Sequence, residues 1–419
     1  MSFKSVKFKD TNINIIDGDR GENYPSQNEY LEDGYCLFLN AKNVTDSGFK
    51  FNKTKFISKE KDNILRKGRL KKEDVVLTTR GTVGNVGLFT HEVPYENIRI
   101  NSGMLIFRLE NRDEFLPEYI YWYFRSNLFQ NQIKQYVSGS AQPQLPVKTI
   151  NKMEILKPDI EIQKKIVKII SSVNKKVLNN NKMNKTLEEI AQTIYKSWFV
   201  DFEPFQDEEF VESELGMIPE SWEIGHLGDE NLSKLVRGSI DEFKGEKIYL
   251  ATADVNDKKI ENYNTIITYD EKPSRANRKP EPNTIWFAKM RDSKKLILVS
   301  KYKKFLINNI ILSTGFMGLD IPEYALYYVW NFINNEDFEE KKDKLCTGTT
   351  MEAINMTNTK KIKILTPPKK ILYKFNDLME PIYKKINKNR VESRNLKELR
   401  DSLLPKLMSG EIRVLLNED

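Results

Sequence analysis

At 419 residues the chain is too long for one ordinary core and long enough for two or three domains. With 39% hydrophobic and 30% charged residues it has the means to bury real cores, which excludes a disordered chain. The formal charge of +7 permits a polyanionic partner and argues against an acidic mimic of DNA, while Cys36 and Cys346 alone give neither a disulfide framework nor a paired-cysteine zinc site and fit a reducing cytosol.

The opening MSFKSVKFKD has no apolar stretch, so no signal peptide is expected, and no run of eighteen apolar residues suggests a membrane span. The expected location is cytoplasmic. Residues 1–158 read as a mixed α/β region. Within it Asp74–Thr79 is a strand-like apolar run ending at Arg80. Gly81–Gly87 spaces its glycines as GxxGxxG rather than GxGxxG, and reads as a turn between strands. From Ile160 to Trp198 there is neither Gly nor Pro, and the apolar residues recur as a heptad, so residues 159–206 are expected to be a spacer helix. One seam is expected at Ile166, Val173, Asn180, Leu187 and Ile194, the other at Ile162, Ile169, Lys176, Met183, Ile190 and Ser197. The acidic stretch Asp207–Glu214 reads as a linker, and a second mixed region over residues 207–367 opens near Gly216–Trp222. Residues 368–419 give a second long helix, with seams at Phe375, Ile382, Asn389, Leu396 and Leu403 and at Ile371, Leu378, Lys385, Glu392, Leu399 and Lys406. Pro381 is expected to kink or break it.

The chain is written twice. Val137–Pro158 reappears as Cys346–Pro367 on adding 209, so that Gly139 becomes Gly348 and Pro158 becomes Pro367. The same shift carries Leu187 and Ile194 onto Leu396 and Leu403. Upstream it lays Asp74–Arg80 on Asn283–Lys289, and with small gaps Ser102-Gly103-Met104 matches Thr314-Gly315-Phe316 and Pro117-Glu118-Tyr119 matches Pro322-Glu323-Tyr324. Asn180 and Asn389 are equivalent under it. A polar Asn at a seam position costs stability and fixes register, which favours a coiled coil over two amphipathic helices each packed on its own domain, and if the two helices lie antiparallel these residues come close together.

Motifs for chemistry are missing. Two histidines, no HExxH, no GxSxG and no GxxxxGK[ST] leave no expectation of a metal site, a serine nucleophile or an ATP motor. Pro158–Glu161 lacks the lysine that a nuclease carboxylate pair requires, and its acids suit a helix N-terminus instead. These absences move the reading toward a binding protein. Candidate DNA contacts are Arg80 and Thr82, the loop residues Ser138, Ser140, Gln142 and Gln144, and in the second region Arg275, Arg278, Lys289, Arg291, Thr347 and Thr349. Lysines there would meet phosphates, and some Arg and Gln would meet base edges. Each such residue on its own is equally a solvated face or a structural turn.

Several phrases resemble the specificity subunit of type I restriction-modification systems. They are DVVLTTRGTVGNVGLF (Asp74–Phe89), SGSAQPQLP (Ser138–Pro146), YKSWFVDFEPF (Tyr195–Phe205), ELGMIPESWEIGHLGD (Glu214–Asp229) and SLLPKLMSGEI (Ser402–Ile412), and together they span essentially the whole chain. The resemblance implies an α+β fold: two mixed α/β target-recognition domains separated by a long antiparallel two-helix coiled coil, with a pseudo-two-fold repeat. It implies that each domain reads one half of a bipartite site on double-stranded DNA. Two modification subunits would dock on the helices and methylate adenine N6, and restriction subunits would join them. No cofactor is expected in this chain. S-adenosylmethionine, ATP and Mg are expected on the partners, which leaves this chain without catalysis. The Arg80-Gly81-Thr82 phrase has no copy in the second region, where Lys289-Met290-Arg291-Asp292 stands. The rival readings are a stand-alone enzyme acting on nucleic acid and a scaffold for a protein partner.

Overall fold

The structure, a computed structural model, describes residues 3–137 and 143–414. It divides into two compact units, Met1–Leu178 with Ser393–Asp419, and Asn179–Glu392. Each unit holds one mixed α/β region and part of both long helices.

In the first unit a four-stranded antiparallel sheet runs in the order Ile13–Asp17, Met104–Leu109, Val75–Thr78, Val86–Leu88. Val75 and Leu77 face one core with Leu105, Phe107, Tyr119 and Phe124, while Val76 faces another with Leu37, Leu39, Met104 and Ile106. That is the two-residue alternation of a strand buried on both faces. A smaller sheet pairs Cys36–Leu39 in parallel with Ile98–Ile100. Helices Pro117–Arg125 and Asn127–Tyr136 cover the first core. The strand Glu154–Lys157 pairs with Lys4–Lys7 and leads into the central helix, Ile160–Phe199.

The second unit repeats this plan. Its main sheet runs Lys234–Leu235, Phe316–Asp320, Thr284–Ala288, Leu296–Val299, and Lys247–Leu250 lies parallel to Ile310–Ser313. Helices Leu326–Asn334 and Glu336–Lys344 take the place of the earlier pair. The Tyr119 hydroxyl donates to the Leu156 carbonyl at 2.9 Å, and Tyr328 donates to Leu365 at 2.6 Å. Burial drives both phenols up.

Strand pairing corrects the sequence alignment in two places. Thr78 pairs with Met104, whereas Ala288 pairs with Phe316, so Thr78 corresponds to Ala288 and Arg80 to Met290, one residue beyond the constant shift. The left-handed residue before each strand agrees, Glu73 at φ 76° and Asn283 at φ 62°. A slip of one would have turned every side chain to the opposite face. The tyrosine bonds make Tyr119 the counterpart of Tyr328. Pro322-Glu323-Tyr324 instead form a 3-10 turn just before the helix. The acidic stretch expected as a linker is partly ordered, because Phe210–Ser213 pairs with Gly216–Pro219 as a hairpin.

The C-terminal helix runs unbroken from Lys369 to Ser409, through Pro381. The proline forfeits one backbone bond, but Met379, Tyr383 and Ile386 are buried in the second unit's core on either side of it, and that packing offsets the loss. The seams are also corrected. The buried stripe of the central helix is Ile166, Ile170, Val177, Asn180, Asn184, Ala191, Tyr195 and Phe199, whereas Lys176, Met183 and Ile190 are exposed. On the C-terminal helix it is Leu372, Phe375, Met379, Ile386, Asn389, Ser393, Leu404 and Met408, with Leu378, Lys385, Leu399 and Lys406 exposed. The first seam of each set was placed correctly at Ile166, Asn180, Phe375 and Asn389. The second lies one residue later than its expected line.

The helices are antiparallel within each unit. In the first, Ile166 and Ile170 share a core with Leu404, Leu407 and Met408, and Arg400 donates to Asn174 Oδ1 at 2.9 Å. In the second, Asn180 meets Asn389 while Tyr195 meets Phe375, so later residues of one helix face earlier residues of the other. Both Asn are 1% exposed. Asn180 Nδ2 donates to Glu392 Oε2 at 2.9 Å and to the Asn389 carbonyl at 3.5 Å, and Asn389 Nδ2 donates to Asn184 Oδ1 at 2.9 Å. Asn389 Oδ1 is buried with no partner among the described residues. Asn180→Leu is expected to raise the melting temperature by about 2–4 °C, the effect of about 1 kcal/mol on a unit this size, while loosening register. A drop of several degrees in a thermal melt would show that the bond to Glu392 dominates.

Candidate nucleic-acid interface

The first mixed region gathers its candidate residues around the Ser102–Gly103 turn. The N–H groups of Thr79 and Arg80 donate to the Gly103 carbonyl at 2.8 and 3.2 Å, and Leu145 N–H donates to the Thr79 carbonyl at 3.0 Å. Arg80 therefore lies beside Gln144 as an isolated antiparallel bridge. Arg80 is exposed, and its guanidinium makes no hydrogen bond or ion pair among the described residues. Thr82 is exposed on the following loop, and its carbonyl accepts from the Thr78 hydroxyl. Gly84, at φ 100°, lets that loop turn tightly enough for its N–H to reach the Thr78 carbonyl at 2.9 Å. Ser138, Ser140 and Gln142 lie outside the described residues.

The second region builds the same frame and lines it differently. Lys289 N–H donates to the Gly315 carbonyl at 3.0 Å, Ile354 N–H donates to the Lys289 carbonyl at 2.9 Å, and Met290 bridges Ala353. Arg275 adjoins the same turn, its carbonyl accepting from Thr314 N–H at 2.8 Å. Arg278 donates to the carbonyls of Gly238 and Asn277. Burial pushes the Lys289 ammonium below the usual lysine range, and the guanidiniums of Arg278 and Arg275 push it further. Three cations thus converge, and none of them makes an ion pair with a carboxylate among the described residues. Such a place is stabilised by an arriving anion.

Arg291 is not free in this way. It pairs with Glu352 Oε2 at 2.5 Å, and that carboxylate holds its charge firmly in place. Thr347 is exposed and exchanges backbone hydrogen bonds with Ala353, both at 3.1 Å, closing a small loop with exposed Thr349 in it. Gly348 there has φ 130°, and a Cβ would meet the Met351 carbonyl at 2.6 Å.

The sequence reading missed Lys342. Its side chain is fully buried, paired with Glu339 and with Asp343 at 3.3 Å, and it donates to the carbonyls of Met290 and Ser293 at 3.1 and 3.4 Å. It braces the loop that carries Lys289 and Arg291. Its segment EDFEEKKDK gives no sign of this, because it reads as a solvated helix. In the first region the equivalent residue is Ile133, beside the Gly84 loop. Among the described residues no group of three or more His, Cys, Asp or Glu is arranged to hold a metal, and no helix is long and apolar enough to cross a membrane.

The comparisons with known proteins agree with this architecture. The family described as "Type I restriction modification DNA specificity domain" matches residues 13–189. The MjaIX specificity subunit of Methanocaldococcus jannaschii is 30% identical over 359 residues, covering 82% of this chain and 78% of that protein. The HindI specificity subunit of Haemophilus influenzae is 24% identical and covers 94% and 98%. Among solved structures, the S subunit of a type I restriction-modification system from M. genitalium is similar in fold, with a TM-score of 0.57, 14% identity, and 99% and 97% of the two chains covered. The chain is thus a specificity protein built of two target-recognition domains and two long helices. It belongs to the family of type I restriction enzyme specificity subunits.

Proposed function

We propose that each mixed region of this chain reads one half of a bipartite site on double-stranded DNA, and that the paired helices set the gap between the halves. The observation that carries this reading is the contrast between frame and lining. Strand registers and buried faces recur from one copy to the other, yet Arg80 is replaced by Met290, Thr79 by Lys289 and Gln144 by Ala353. Two copies that kept one fold while diverging where backbone turns present side chains outward are built to read different letters. Arg80, exposed and without a side-chain partner among the described residues, suits a bidentate contact with guanine, and the cluster of Arg275, Arg278 and Lys289 suits phosphate.

In this reading the chain is not catalytic. Two modification subunits dock on the helices and methylate adenine N6 with S-adenosylmethionine, and restriction subunits bring ATP and Mg. The complex works in the cytoplasm. Apolar residues left exposed on the helices support the docking. Ile190 and Leu399 occupy equivalent positions and are 42% and 45% exposed. The test is methylome sequencing of a host expressing the chain with its modification subunit. A gapped, asymmetric motif is expected, and methylation without such a motif would overturn the proposal.

A further inference from the structure

The first unit carries a basic cavity of about 650 Å³ that the recognition loops do not account for. Lys7 and Lys9 line it from the first strand and the turn after it, Lys148 and Lys152 from the segment before the strand Glu154–Lys157, and Tyr136 from the preceding helix. All four lysines are exposed, and none makes an ion pair among the described residues. The one acid in the lining, Glu154, accepts the Ser5 hydroxyl at 2.6 Å. Four lysines around one concavity make a place that an arriving anion would stabilise.

The second copy lacks this arrangement. The strand pairings Lys7–Glu154 and His226–Lys363 put His226 where Lys7 stands, with Gly228 in the place of Lys9. Thr357 replaces Lys148, Lys361 keeps the place of Lys152 with Lys360 before it in the place of Asn151, and Lys363, in the place of Glu154, is tied to Glu214. Three of the four lysines, Lys7, Lys9 and Lys148, are therefore particular to the first region.

Its place along the chain indicates what fills it. Lys148 follows Gln144, the neighbour of Arg80, by four residues, so their Cα atoms are at most about 14 Å apart. That is about four base-pair steps of a duplex. We propose that this lysine cradle grips the phosphodiester backbone beside the half-site read at Arg80 and Gln144, without reading sequence. The proposal rests on the DNA-reading function above and adds to it a phosphate contact within the first region.

The test compares the assembled complex with one carrying Lys7→Gln, Lys9→Gln, Lys148→Gln and Lys152→Gln, on a duplex bearing its motif and on a scrambled duplex. Each phosphate contact contributes about 0.9 to the slope of log affinity against log salt. The slope is expected to fall by about 3 to 4 on both duplexes, with the motif and its gap unchanged. The Lys→Arg quadruple variant is expected to keep the original slope. An unchanged slope overturns the cradle, and so does a change in the motif letters. Loss of the modification subunits with the slope intact also overturns it, because it assigns the cavity to an acidic protein partner. A fall in slope in a complex that shows no preference for any motif would uphold the cradle and remove the reading it rests on.

Discussion

Inserting four residues after Leu178 and four after Glu392, the two places where the chain passes between its compact units, is expected to widen the gap in the recognised motif by about two base pairs. Four helical residues add about 6 Å of rise, and two base-pair steps measure about 6.8 Å. They also turn the helix by about 40° beyond a full turn, close enough to one turn for the buried stripe to stay in phase. Both insertions are needed, because with one helix alone lengthened the Ile166–Leu404 packing and the Asn180–Asn389 layer could not both keep their register. The letters of both half-sites are expected to stay the same, since neither insertion touches the strands or turns that present Arg80 or Lys289. Methylome sequencing reads gap and letters together. A variant that folds and methylates with the original gap would end the spacer role.

The largest effect of a single substitution is expected at Arg99. Its guanidinium donates to Asp62 Oδ1 at 2.5 Å, to the carbonyls of Asp62 and Leu65 at 2.7 and 2.9 Å, and to that of Lys67 at 2.6 Å. Asp62 is fully buried, and Arg69 at 3.4 Å is its one other cation among the described residues. Arg99→Met leaves a buried carboxylate and three carbonyls without their donor, at a cost of about 3–5 kcal/mol. Arg99 sits in the strand leading to the turn that carries Gly103, so the first region is expected to lose its half of the motif as it loosens. Calorimetry should show one early transition, with hydrogen exchange rising over residues 36–106 and not over the second unit. The second copy holds Ile311 at the matching strand position, within an apolar core. The double variant Asp62→Leu, Arg99→Ile is accordingly expected to recover most of the stability. If Arg99→Met alone melts like the parent, the ion pair is not what holds this segment.

How much of this was legible in the residues depended on the kind of pattern they left. From Val147 through both long helices the constant shift of 209 carries over to the structure, as the separation between Asn180 and Asn389 shows. Short helices and paired strands pin it there. The strand Asp74–Arg80 was different. Val75-Val76-Leu77 and Ile285-Trp286-Phe287 are buried on both faces, so no polar residue marks which way a side chain points, and an alignment off by one looked equally good. The second helical seam failed for a related reason. Ile169 stands beside Ile170 and Leu378 beside Met379, so the apolar pattern offered two lines one residue apart. Burial chose the later one in both helices. Of the candidate contacts, Arg80, Lys289 and Arg275 were within reach of the sequence because each is a cation next to a turn. That Arg291 is taken up by Glu352, and that Lys342 braces its loop, depends on folding between distant segments, which no local pattern records.

The first unit is completed by residues made long after the rest of it. Leu404, Leu407 and Met408 fill the same core as Ile166 and Ile170, and the Phe3 N–H donates to the Ser409 carbonyl. Met408 emerges about 230 residues after Leu178, which at ribosomal speed is roughly 10–50 s. Throughout that interval the nascent chain shows the ribosome exit an uncovered apolar flank, so the region translated first is the one with the greatest need of a chaperone, and premature termination anywhere in the second half leaves it open.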